Sequence, residues 1–259
     1  MNKNNLKVVI LAGGYGTRLG TLTKLKPKPM VDVCGKPIIE HIIQLYLKSG
    51  FSNFIICGGY KSEVIKDYFK KKFRKNVLLN NKNETFIKKN NFTIRIVNTG
   101  KNSLTGGRIK RIRKYVEKDA FFHMTYGDGL SNVNINKLTK FHLKNKKFAT
   151  VTTVKIQVPQ ERFGVVYFKN KNTVKEFVEK PDIKEIFING GFFVINSKIF
   201  KFIKDDFTRW EAKPLERIAK QKQLAAFKHT GFWKCMDTIR DRKYLEQFKN
   251  KKFPWNTLN

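Results

Sequence analysis

Near the N-terminus a short apolar strand, Lys7–Leu11 (KVVIL), runs directly into a glycine-rich loop, AGGYGTRLG. This junction restricts the possible folds more than any other feature. A buried strand that opens on glycines is the usual start of a ligand-binding α/β layer, because backbone N–H groups there can approach phosphate oxygens closely. Strand and helix signals alternate after it. Pro37 opens a helix, IIEHIIQLYLKS, with apolar residues at helical spacing, and Gly50 ends it. Asn53–Cys57 reads as a strand, Ser62 as the cap of a helix through EVIKDYFKKKF, and Phe92–Val97 as a strand with alternating apolar residues. Thr105–Val116 reads as a basic helix, Ala120–Thr125 as a core strand, and Ile135–Lys146 as a helix.

Repetition of this kind predicts a Rossmann-like α/β fold, a mostly parallel sheet wound by helices, with ligands beyond the C-terminal strand ends. In the second half, Phe148–Ile156, Gly164–Phe168, Val174–Val178 and Gly191–Ile195 are short strands of mixed or antiparallel character. They suggest a smaller mixed β region that shapes a second substrate's pocket. A helix from Thr238 to Phe248 precedes the tail FPWNTLN. The chain of 259 residues is read as one domain, 1–259, with a nucleotide-binding half (1–147) and a second-substrate half with the C-terminal helix (148–259). The polar, Asn-rich stretch 75–91 reads as an exposed loop or an excursion from the core.

No apolar run reaches the length of a membrane span, and the stretch before the glycines is too short for a signal-peptide core. Cys34, Cys57 and Cys235 form no CxxC pair, so they read as reduced thiols in a cytoplasmic protein. The net charge of +34, from 54 basic and 20 acidic residues, raises the question of a nucleic-acid partner. The basic residues are mostly lysines spread along the whole chain, mixed with Asn, Ile and Phe as in LNNKNETFIKKNN (79–91). All four residue types have A/T-rich codons. Drift of the surface composition explains the excess, and nucleic acid is not the expected partner. The charge should still draw anionic substrates in a salt-dependent way.

The spacing of the glycine loop excludes two common classes. A dinucleotide fingerprint needs GxGxxG, but the third position is Leu19, and the second strand ends in Cys57-Gly58-Gly59 where an acidic residue would be required. The P-loop pattern GxxxxGK[ST] is absent. Arg18 adds a forked, permanently charged donor suited to a phosphate. An ordinary tight turn remains the competing reading of the loop alone. Ten residues on, Pro27 and Pro29 hold Lys28 in a stiff, extended segment, KPKPM. A lysine fixed in this way suits a transferring phosphoryl group, although a surface loop with turn prolines has the same look. YGDG (126–129) follows the apolar strand AFFHMT, and Asp128 between glycines at a strand end is a natural Mg²⁺ ligand or a turn residue. Asp237, in GFWKCMDT, is the candidate second carboxylate. At a strand end, EKP (179–181) offers Glu179 for sugar hydroxyls and Lys180 for a sugar phosphate, or only a solvated ion pair. INGGFFVIN (188–196) is a strand whose glycines permit close ligand approach or form a bulge.

Together the first two segments resemble the signature of the sugar-phosphate nucleotidyltransferases, GxGTRLxxxTxxxPKPM, at full spacing. TGGRIKR (105–111), RFG (162–164), INGGFF (188–193), TRWE (208–211), GFWKCMDTIRD (231–241) and PWNT (254–257) are similar to the branch of that family that joins CTP to α-D-glucose 1-phosphate. The resemblance runs from Val8 to Thr257 and departs locally at Gln160 and Glu161, where the family tends to have glycine. It implies CDP-glucose and pyrophosphate as products, and Mg²⁺ on Asp128 and Asp237. Arg18 and Lys28 are implied as the catalytic residues. The nucleotide is expected on Leu11, Ala12, Gly13, Gly14, Tyr15, Gly16, Thr17, Arg18, Lys28, Ser103, Thr105, Arg108 and Gly127. The sugar phosphate is expected on Tyr126, Glu179, Lys180 and Asn189. The resemblance also implies a homo-oligomer, with no membrane partner.

Overall fold

The computed structural model describes residues 6–156, 165–170, 172–178 and 186–256. One nine-stranded sheet organises them. Its strands are β1 (Lys7–Ala12), β2 (Asn53–Gly58), β3 (Val77–Asn80), β4 (Glu84–Lys89), β5 (Phe92–Asn98), β6 (Phe121–Tyr126), β7 (Ala149–Lys155), β8 (Phe187–Asn196) and β9 (Leu224–His229). Across the sheet they run β9-β7-β8-β6-β1-β2-β5-β4-β3. The centre β6-β1-β2-β5 is parallel. The strands β4 and β8 run against the others, so the mixed character expected of the second half is carried by β8 between β6 and β7.

The sheet is buried on both faces, and its strands accordingly alternate between two cores. Val8, Ile10, Phe54, Ile56, Phe192 and Val194 face one core. Val9, Leu11, Ile55, Cys57, Phe193 and Ile195 face the other. The first core is covered by helices α1 (Ile38–Lys48), α2 (Ser62–Lys72) and α5 (Ile135–Asn145). The second is covered by α3 (Thr105–Arg111), α4 (Arg113–Val116) and α6 (Lys213–Lys220), with Trp210 fully buried among them. The helix α7 (Ile239–Glu246) starts with a reciprocal capping box between Thr238 and Asp241. The Asp241 carboxylate also accepts the Asp237 N–H at 3.1 Å. The residue that caps the helix thus also fixes Asp237, just before it.

Several local expectations need correction. Residues 75–91, expected as an exposed loop or an excursion from the core, supply β3 at the edge of the sheet and β4 beside it, closed by Asn81 Oδ1, which accepts from the N–H groups of Asn83 and Glu84. With one face only half-buried, β4 buries alternate residues, Thr85 and Ile87, and so it lacks the apolar run that marks a core strand. Ser62 does not cap α2. Lys61 takes the cap position at φ 50°, and Ser62 is buried in the first turn beside Gly58. The basic helix of 105–116 is divided at Ile112. The hairpin Val165–Asn170 with Thr173–Val178 forms a separate two-stranded sheet. Strand β9 and helix α6 had no clear sequence signal. No helix of the described residues is long and apolar enough to cross a membrane, and Cys34, Cys57 and Cys235 are free thiols.

Candidate active site

Because β1 pairs in parallel with β6, with Leu11 opposite Tyr126, the glycine loop and YGDG emerge side by side at the same end of the sheet. The Gly127 N–H donates to the Leu11 carbonyl at 2.9 Å. Any side chain at Gly127 would run into the Pro29 ring at 2.9 Å, so the PKPM segment lies directly against YGDG. Gly16 turns the loop at φ 65° into a single 3₁₀ turn, Thr17–Leu19. These segments, with residues 101–105, enclose a cleft of about 340 Å³. Leu11, Ala12, Gly13, Gly14, Tyr15, Gly16, Thr17, Arg18, Lys28, Ser103, Thr105, Arg108, Tyr126, Gly127, Asp128 and Asp237 all line it.

At one end of the cleft the Lys28 ammonium sits between two carboxylates. It is 2.5 Å from Asp128 Oδ2 and 2.6 Å from Asp237 Oδ1. Burial acts to lower the Lys28 pKa, but the charge of Asp128 and the hydrogen bonds to both carboxylates outweigh it and hold the pKa above the ordinary value. Arg18 reaches the other Asp237 oxygen at 3.3 Å. Ligand atoms of Asp128, Cys235 and Asp237 lie within 4.8 Å of one another. Two carboxylates that converge on a cation from the ends of different segments suit a hard divalent ion, which takes one or two carboxylates and completes its shell with phosphate oxygens and water. The Cys235 thiol beside them had no signal beyond that of a reduced cysteine. Burial, then Asp128, pushes its pKa up, so it lies there as a neutral group.

Arg108 lines the cleft from below rather than reaching into it. Its guanidinium donates to the carbonyls of Gly13 (2.9 Å), Gly58 (3.1 Å), Gly100 (2.8 Å) and Lys101 (3.4 Å), and to Thr99 Oγ1 (2.8 Å). Burial lowers its pKa. The expectation of Arg108 as a direct nucleotide contact is therefore qualified: its forked donors are turned to backbone oxygens, and a Cβ at Gly13 or Gly59 would overlap the guanidinium. Ser103 is buried beneath the same loop. Tyr15 closes the rim, with its hydroxyl donating to Asn102 Oδ1 at 2.8 Å and its ring 5.1 Å from that of Tyr60.

The glycines of TGGR serve packing. Segment 205–210 crosses the first turn of α3 so closely that a Cβ at Gly107 would be 2.2 Å from the Asp206 carbonyl oxygen, and one at Gly106 2.7 Å from that of Thr208. The bonds Leu104 N–H to Asp206 O (2.8 Å) and Gly107 N–H to Thr208 O (3.2 Å) fasten it. Gly107→Ala should therefore lower the melting temperature by roughly 3–10 °C, since backbone rather than a flexible side chain must move; an unchanged melting curve would refute the packing role.

Of the residues expected at the sugar phosphate, Asn189 accepts from the Gly191 N–H through Oδ1 at 2.8 Å, and its Nδ2 lies 3.4 Å from the Tyr126 hydroxyl. Burial, then Glu211, pushes the Tyr126 phenol far above its ordinary pKa. Glu179 and Lys180 lie outside the described residues. Glu211 was not singled out among the site residues, although it belongs to TRWE; nothing in the local sequence marks it as facing Tyr126.

With this arrangement in view, residues 7–241 match the family described as nucleotidyl transferase. The chain belongs to that family. A glucose-1-phosphate cytidylyltransferase of Salmonella typhimurium (strain LT2) is 44% identical, with 97% of this chain and 99% of the relative covered. A probable glucose-1-phosphate cytidylyltransferase of Bacillus subtilis (strain 168) is 38% identical, with 95% and 97% covered. Among solved structures, HddC from Yersinia pseudotuberculosis superposes with a TM-score of 0.66 at 25% identity, covering 94% of this chain and 99% of that one. Nucleotidyl transferases of this family commonly use a divalent metal.

Proposed function

We propose that the protein transfers the cytidylyl group of CTP to α-D-glucose 1-phosphate, giving CDP-glucose and pyrophosphate. The observation that carries the phosphoryl chemistry is the Lys28 ammonium bridging Asp128 and Asp237 beside the glycine loop. The choice of base and sugar is supported by the full-length similarity to cytidylyltransferases.

No covalent intermediate is required. The sugar-phosphate oxygen is an anionic nucleophile and attacks the α-phosphorus in line, so the protein's task is to hold two polyanions together and offset the charge that develops on the phosphoryl oxygens. Mg²⁺ would be held by Asp128 and Asp237 and would neutralise part of that charge. Arg18 and the backbone of Gly13–Thr17 hold the departing pyrophosphate. Lys28 stabilises the α-phosphoryl group. Gly14, Tyr15 and Ser103 border the nucleotide. Lys180 holds the sugar phosphate, and Glu179, Asn189 and Tyr126 take glucose hydroxyls. Residues 1–147 are the nucleotide half and 148–259 the sugar half, in a cytoplasmic homo-oligomer as the family resemblance implies.

Pyrophosphate release should be measured with glucose 1-phosphate, Mg²⁺ and each of CTP, UTP, dTTP and GTP. CTP alone should support rapid turnover, and a chelator should abolish it. No release with any nucleotide sinks the enzyme reading. Release with UTP or dTTP but not CTP keeps the family chemistry and removes the cytidylyl assignment.

A further inference from the structure

The carboxylate of Glu211 is the meeting point of the two sides of the cleft. Its Oε2 accepts from Thr105 Oγ1, and its Oε1 accepts from the Tyr126 hydroxyl, each at 2.6 Å. Thr105 opens α3 on the nucleotide side, and Tyr126 ends β6 two residues before Asp128. The Thr105 oxygen in turn accepts the Trp210 N–H at 2.9 Å. The tight crossing of 205–210 over Gly106 and Gly107 fixes the backbone from which Glu211 projects.

We infer that Glu211 is a positioning residue that sets the hydrogen-bond polarity of Tyr126. The Tyr126 hydroxyl donates to Glu211 Oε1, so the phenol's single proton is committed to Glu211. The phenol oxygen is left as an acceptor, and Asn189 Nδ2 at 3.4 Å already approaches it from the sugar side. The ring packs directly against Gly191, where a Cβ would lie 2.8 Å from Tyr126 Cδ2, and edge-on against Phe193. Tyr126 therefore meets the second substrate as a fixed acceptor for a hydroxyl group, and Glu211 acts on that substrate only through Tyr126. The inference rests on the proposed use of a sugar phosphate and deepens it by assigning the origin of hydroxyl recognition.

The test compares Glu211→Gln, Tyr126→Phe and the double variant by steady-state kinetics, with glucose 1-phosphate and CTP varied in turn. Glutamine keeps the shape but brings donors that compete with the phenol proton, and phenylalanine removes the acceptor while keeping the ring. Each single variant should raise KM for glucose 1-phosphate by about tenfold or more, leave KM for CTP within about threefold, and change kcat less than KM. The double variant should be no worse than the poorer single one, because both act through one oxygen. Multiplying effects in the double variant, equal changes in both KM values, or an unchanged KM for glucose 1-phosphate in Glu211→Gln would each overturn the assignment. If Glu211→Gln does not fold, Glu211→Asp with Tyr126→Phe makes the same comparison. Wild-type turnover is established first and separately: should it need a different sugar phosphate, the functional reading changes, and the kinetic comparison is made with that substrate.

Discussion

Replacing Lys28 with alanine should lower kcat by about 10²–10³-fold, the usual loss when one preorganised charge is removed from a developing phosphoryl charge. KM for CTP should change far less, because Arg18 and the glycine loop remain to hold the nucleotide. The site predicts a second, less obvious result. Lys28 contacts Asp128 and Asp237 directly, so its ammonium and a divalent ion would draw on the same carboxylate oxygens. Lys28→Ala should therefore bind Mg²⁺ or Mn²⁺ at least as tightly as the wild type in calorimetry, while turning over poorly. Asp128→Asn should do the reverse and weaken the metal. Near-normal turnover in Lys28→Ala would remove its catalytic role, and loss of metal binding in that variant would show that Lys28 supports the carboxylates rather than contending with the ion.

A steep loss of stability in weak acid is the other large effect. The chain has four histidines, and burial lowers the pKa of every one. His41 and His142 fall to about 4, His123 to about 3 with its neighbour His142 adding to the shift, and His229 is also lowered. Burial is what holds each ring neutral, and the rings are also fixed in place by specific contacts. Trp255 Nε1 donates to His41 Nδ1 at 3.0 Å, which leaves His41 Nε2–H to donate to the Val33 carbonyl at 2.8 Å. His142 Nδ1 lies 2.9 Å from Thr150 Oγ1, and His123 Nε2 lies 3.2 Å from Thr139 Oγ1.

In the unfolded chain these rings take protons near pH 6.5. Between there and pH 4 the unfolded state binds more protons than the folded state, so the stabilisation is complete above pH 6.5 and is lost as pH falls toward the depressed folded values. By pH 5 the cost is about 2 kcal/mol for each of the three most shifted rings. Their sum is comparable to the whole stability of an ordinary domain. The melting temperature should fall by roughly 12–24 °C between pH 7 and pH 5. A flat profile over that range would show that the rings can accept protons without the fold opening.

The parts of the site legible in the sequence were those whose chemistry is local. The strand-to-glycine junction, the proline-braced Lys28 and Asp128 at a strand end all announce themselves within a few residues, and the structure brings them into one cleft. What stayed hidden depends on partners far along the chain. Gly106 and Gly107 show no packing role until segment 205–210 is seen to lie on them. Arg108 is expected to meet the nucleotide until the carbonyls around it are counted. Glu211 gains its meaning from Tyr126, 85 residues earlier. The strands β3 and β4 were missed for a different reason, since a half-solvated strand in an Asn- and Lys-rich chain has the composition of a loop.

Arg108 carries one more consequence. It joins carbonyls that follow β1, β2 and β5, so three loops that would otherwise each need ordering when a triphosphate arrives are already tied to one buried cation. The floor of the cleft is therefore rigid before binding, and the entropic cost of shaping it is met during folding rather than at each catalytic cycle. An attempt to retune this protein for another nucleotide base should leave that floor untouched. It should work at the rim, where Tyr15 and Asn102 are joined by an exposed hydrogen bond and stand outside the Arg108 network.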